Sequence, residues 1–92
     1  MIPLSGSFRK SGWDYKLVSR EGDVAVFEQT KPGLEFSVFE VVLVQRHNGY
    51  EIAGKRFPPA EHMPSSEQWG TLGFTCADRE SAFIKADELQ FR

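Results

Sequence analysis

Residues 35–46, EFSVFEVVLVQR, decide the fold. Read with the period of two of an extended chain, one alternation carries Phe36, Val38, Val42 and Val44, and the other Phe39, Val41 and Leu43. Both sides are apolar. A strand of that kind lies inside a sheet and is covered on both faces, so the rest of the chain must supply neighbouring strands and two covers.

Upstream, Lys31-Pro32-Gly33 is a turn, because proline presets φ and glycine accepts the left-handed region. Before it, Val24–Gln29 (VAVFEQ) is rich in β-branched and aromatic residues. Arg20-Glu21-Gly22-Asp23 joins this strand to an earlier one over Trp13–Ser19, where Trp13, Tyr15 and Leu17 alternate with Asp14, Lys16 and Val18. The two form a hairpin.

Downstream, His47-Asn48-Gly49-Tyr50 holds the Asn-Gly pair of a type I′ turn, which predicts a short fourth strand over Tyr50–Ala53. Phe57-Pro58-Pro59-Ala60-Glu61-His62-Met63-Pro64 reads as a loop, since its three prolines cannot donate to a sheet. Ser65 and Gln68 fit a capping box around one helical turn that carries Trp69 and ends at Gly70. Thr71–Cys76 (TLGFTC) returns as a fifth strand. Asp78 is an N-cap residue, and Ala82, Phe83, Ala86 and Leu89 recur at helical spacing; Ile84 and Phe91 fall off that stripe.

The expectation is an α+β fold: an antiparallel meander of four to five strands with one C-terminal helix packed on one face. Ninety-two residues make a single domain, 1–92, with residues 1–8 a flexible N-terminal segment. The helix stripe covers one side of a strand that is apolar on both. The other side needs the Pro-rich loop with Trp69, a second copy of the chain, or a foreign partner.

Composition narrows the function classes. Cys76 stands alone, which excludes an internal disulfide framework, and no apolar run is long enough to span a bilayer. Met1–Ser7 lacks the charged and apolar regions of a signal peptide, so the expected compartment is the cytoplasm, with no membrane partner. A net charge of −2 argues against a protein that rests on phosphate contacts. The one local exception is Arg9–Arg20, where Arg9, Lys10, Lys16 and Arg20 interleave with Trp13 and Tyr15. Such a strip can hold single-stranded nucleic acid by stacking and phosphate contacts; it also reads as an ordinary solvated strand face.

Catalytic material is thin. His47 and His62 are the only side chains that ordinarily titrate near neutrality, and neither sits in a metal-ligand or phosphate-loop motif. Cys76 precedes the helix cap by two residues, a placement that activates a thiol, yet Asp78 beside it opposes thiolate formation. A buried structural thiol is the competing reading. No cofactor and no enzymatic activity are expected.

The run Met63-Pro64-Ser65-Ser66-Glu67-Gln68-Trp69-Gly70-Thr71-Leu72-Gly73-Phe74-Thr75, followed by an Ala- and Phe-bearing helix, resembles a pattern found in small uncharacterised phage and prophage proteins. The likeness extends in layout from Trp13 onward and is motif-like from Pro64 to Leu89, with Phe74 where that pattern more often has Trp. It implies no catalytic residues. It implies a protein that acts by binding a host factor, such as a defence nuclease. The leading expectation is therefore a non-enzymatic protein-binding module, using Trp69, Met63 and Phe57 of the Pro-rich loop and Phe39, Val41 and Leu43 of the long strand. The alternatives are single-stranded nucleic-acid binding through Arg9–Arg20 and a homodimeric accessory protein joined through the long strand's second face.

Overall fold

The computed structural model describes residues 1–91; Arg92, the last residue of the expected domain, lies outside them. Five antiparallel strands form the main sheet: β1 (Ser7–Lys10), β2 (Trp13–Glu21), β3 (Val24–Thr30), β4 (Val38–Leu43) and, far along the chain, β9 (Gly73–Cys76), in the order β1-β2-β3-β4-β9. One helix, α1 (Arg79–Gln90), packs on β3, β4 and β9. This is the expected α+β sheet with a C-terminal helix.

Tight turns set the meander. Ser11 and Gly12, at φ 53° and 82°, join β1 to β2, and Gly22-Asp23 joins β2 to β3. Positive φ at both Ser11 and Gly12 matches the twist of the flanking strands. β1 was not foreseen, because residues 1–8 read as a flexible segment. Instead Phe8 pairs with Tyr15 in the β1–β2 register, and the chain before β1 is tied down. The Ile2 amide donates to the Pro59 carbonyl at 2.9 Å, the Glu61 amide donates to the Ile2 carbonyl at 2.8 Å, and the Leu17 amide donates to the Gly6 carbonyl at 2.8 Å.

The long strand does not run unbroken. After Leu43 the chain leaves the main sheet at Val44, whose amide turns to the Asp23 carbonyl at 2.7 Å. It continues as β5 (Gln45–His47) and β6 (Tyr50–Ile52), reverses at Ala53-Gly54, and returns as β7 (Lys55–Phe57) and β8 (Ala60–His62). β5 pairs with β8 and β6 with β7, so residues 45–62 are a two-stranded arm. This corrects two readings. The reversal is not at Asn48-Gly49, and the stretch taken as a Pro-rich loop is half of a ribbon. Pro58-Pro59 lies beside Gly49, where a Cβ would come within 2.9 Å of the Phe57 carbonyl oxygen. The glycine and the prolines therefore form a matched interruption between the two paired segments.

Both faces of β4 are closed by the chain itself. On one face Val24, Val26, Phe39 and Val41 meet Ala82 and Leu89 of α1, with Leu43, Phe74, Cys76 and Ala86 around them. The Asp78 carboxylate caps α1 by accepting from the Ser81 amide at 2.7 Å, which holds this carboxyl below the usual range. Phe83, expected in the buried stripe, is 38% exposed, and Ile84 and Phe91 also face outward. On the opposite face Tyr15, Ala25, Phe27, Val42 and Val44 are covered by Leu4, Phe8, Met63 and Trp69. Phe36 stands outside the strand and is exposed.

Candidate functional site

Closure of both sheet faces redistributes the residues expected to bind a partner. Phe39 and Val41 are buried under α1, with Leu43 packed against them, so none of the three forms a docking surface. The homodimer through a bare second face loses its premise for the same reason: Trp69 and Met63 already lie there. Phe57 parts company with them and sits on the arm, its ring stacked on Tyr50 at 4.8 Å between centroids.

The basic and aromatic strip is also dispersed. Strand alternation sends Lys10, Trp13 and Tyr15 to one face and Arg9 and Lys16 to the other. Tyr15 is buried beneath Phe8, with which it stacks at 4.7 Å, and no base can reach its ring. Arg20 is committed to a bidentate pair with Glu61, at 2.7 and 2.8 Å. Trp13 lies under the Lys31 ammonium, 5.5 Å from the ring centroid. These side chains do not share one surface.

Two other places bring functional groups together. The first is the arm. Its root is an ion-pair network: Arg46 chelates Asp23 at 2.9 and 2.6 Å and reaches Glu61 at 3.0 Å, while Glu61 also takes Arg20 and the Leu4 amide at 2.9 Å. These donors hold the Glu61 carboxyl down at about 2, with the Arg20 hydrogen bonds the largest cause. The stem stacks His47 on His62 at 5.8 Å. His47 Nδ1 accepts from the Gly49 amide at 3.1 Å, which braces the chain at the interruption. The distal pair β6 and β7 packs chiefly on itself, leaving Tyr50 47% and Ile52 61% exposed. Beside them Asn48, Tyr50, Arg56, Phe57 and Pro58 line an open depression of about 370 Å³. Tyr50 and Ile52 were missed because a four-residue strand in a meander would have buried alternate residues; the exposed alternation Tyr50, Ile52 was the available signal.

The second place is on the sheet face opposite α1. Glu40, midway along β4, is 8% exposed and has Phe27 and Thr75 as its strand neighbours. The Tyr15 hydroxyl oxygen receives a Gln29 Nε2–H at 3.1 Å, and the Glu40 carboxyl lies beside it. Burial raises the Glu40 carboxyl above its ordinary value, against the opposing pull of Lys10 and Tyr15. Burial, with Glu40 beside it, pushes Tyr15 up to about 12. Lys10, Tyr15, Glu40, Pro64, Ser66 and Trp69 line an open cavity of about 360 Å³ there. The sequence signal for Glu40 is a lone carboxylate within the alternation Phe36, Val38, Val42, Val44, whose apolar members dominate its reading.

The catalytic candidates remain apart. Burial raises the Cys76 thiol, Asp78 adds to the rise, and Lys85 only opposes it. His62 Nδ1 lies 2.8 Å from the Met63 carbonyl oxygen, the position of a donor to it. Among the described residues no group of three or more His, Cys, Asp or Glu side chains is gathered to hold a metal ion, and no helix is long and apolar enough to cross a membrane. Neither a family model, nor a curated protein, nor a solved structure matches the chain.

Proposed function

We propose that this chain is a non-enzymatic protein-binding module that engages its partner through the distal half of the arm. The observation that carries this reading is a rooted ribbon whose outer strands leave Tyr50 and Ile52 in solvent while Phe57 stacks behind them. Two short strands away from a core contribute little to stability, whereas aromatic and aliphatic side chains on a stiff support are the usual anchors of a protein interface. The depression lined by Tyr50, Arg56 and Phe57 offers an apolar floor and a guanidinium, which suits a partner with an apolar residue next to an acidic one. The likeness of residues 64–89 to small phage proteins supplies the context: a phage-type inhibitor or modulator of a host factor.

The test compares capture by the native chain with capture by a Tyr50→Ala, Ile52→Ser variant and by a Phe91→Ser control. Exposed substitutions of this kind change stability by about 0.5 kcal/mol or less, so all three stay folded. The reading requires one host protein retained by the native chain and the control and lost by the arm variant. Identical capture by all three, or none by any, refutes it.

A further inference from the structure

The geometry points to a second binding site on the sheet face opposite α1, separate from the arm: the cavity over Glu40 takes an organic cation, an alkylammonium or a guanidinium, with the Glu40 carboxylate as its counter-ion. A carboxylate in the middle of a central strand takes the place of an apolar side chain and carries a desolvation cost that core packing does not require. Tyr15 and Glu40 both line the cavity, and the Gln29 amide donating to the Tyr15 oxygen leaves the hydroxyl proton free for the carboxyl beside it. A carboxylate has about four acceptor positions, so one such donor leaves others for a ligand.

The walls suit a cation with an apolar stem. Trp69 and Pro64 line the cavity with the carboxylate, and an indole ring attracts cations as well as covering alkyl chains. The Trp69 ring is fixed in advance: its Nε1–H donates to Thr75 Oγ1 at 3.0 Å, and the ring rests on Gly73, where any Cβ would collide with it. Pro64 is fully buried. Lys10, the cation now acting on Glu40, is an exposed residue of the edge strand β1, so an incoming ligand displaces a solvated rim charge rather than a packed one. A volume of about 360 Å³ suits one such group.

The experiment titrates the ¹⁵N-labelled full chain with n-butylammonium, n-butylguanidinium, 1-pentanol and pentanoate, following the Trp69 indole N–H. Saturable shifts are expected with at least one cation, at least tenfold weaker with pentanol, and absent with pentanoate. Which cation binds tells a lysine-like ligand from an arginine-like one. Glu40→Gln abolishes the response, and Lys10→Ala strengthens it severalfold by removing the competing charge. Equal response to pentanol and the cations, no saturation with either cation, or weaker binding after Lys10→Ala overturns the assignment. The comparison of cation with pentanol on the native chain decides it even where Glu40→Gln disturbs folding.

Discussion

Gly73→Ala is the sharpest perturbation this fold offers. The new Cβ would stand 2.5 Å from Trp69 Cε3 and 2.8 Å from Cη2, so either the indole or strand β9 has to move. Overpacking of this kind costs about 1–3 kcal/mol. A displaced ring also gives up the Nε1–H bond to Thr75 and uncovers part of the Val42 face, the hydrogen bond alone being worth about 1 kcal/mol. Gly73 is absent from the positive-φ residues, so alanine fits the backbone there, and its lower unfolded-state entropy offsets about 0.4–1 kcal/mol. The net loss is about 2 kcal/mol, equivalent to a fall in Tm on the order of 10 °C for a domain this size. Urea denaturation measures it, and Trp13→Phe leaves Trp69 as the sole tryptophan fluorophore, whose emission should shift to the red. The decisive control is Trp69→Leu, in which the steric conflict is gone and Gly73→Ala should cost under about 0.5 kcal/mol. An equal cost in both backgrounds, or an unshifted Trp69 emission, would show that the ring is not seated on Gly73.

Two pH effects follow from the buried and paired carboxyls. Glu40 has its folded-state value raised, so its contribution is fully present below the ordinary value of 4.5 and is lost as pH rises through the higher folded one; the stability of Glu40→Gln relative to the native chain should therefore grow between pH 4 and 7, and a flat difference in urea midpoint refutes the burial argument. Glu61 is the opposite case: its contribution is present above 4.5 and lost as pH falls toward about 2. Since Glu61 roots the arm through Arg20, Arg46 and Leu4, limited proteolysis with pepsin should cut between residues 48 and 59 before the core unfolds, and Arg46→Ala should expose the same segment to trypsin at neutral pH.

The legible part of this fold was the part governed by local periodicity. Gly22-Asp23 turned the first expected hairpin, the two-sided apolar strand was central, and the Asp78 cap started the helix. What stayed hidden depended on pairing between distant residues. Asn48-Gly49 carries the stronger turn signal, yet the reversal falls at Ala53-Gly54 with Ala53 at φ 52°, a conformation that costs a non-glycine residue roughly 1–2 kcal/mol. Pairing of Tyr50 with Phe57 and of Gln45 with His62, seven and seventeen residues apart, outweighs that local cost. β1 was missed likewise, because four residues beginning Ser7-Phe8 have no visible period until Tyr15 lies opposite.

The apolar surplus of residues 35–46 left the second face to the Pro-rich loop with Trp69, a second copy of the chain or a foreign partner, and the tertiary structure gives it to Trp69 and Met63. Leu4, Met63 and Trp69 fill the second face, so a partner is not needed to complete the core. The case for binding then rests on what closure leaves over. Two features survive it: aromatic and aliphatic side chains carried outward on a ribbon that ion pairs hold at its root, and a carboxylate that the second face encloses without an apolar reason to be there. Core packing explains neither. Because one lies on the distal half of the arm and the other in the cavity lined by Trp69, their variants are independent: loss of cation binding with arm-dependent capture intact, and the reverse, separate the two proposed sites.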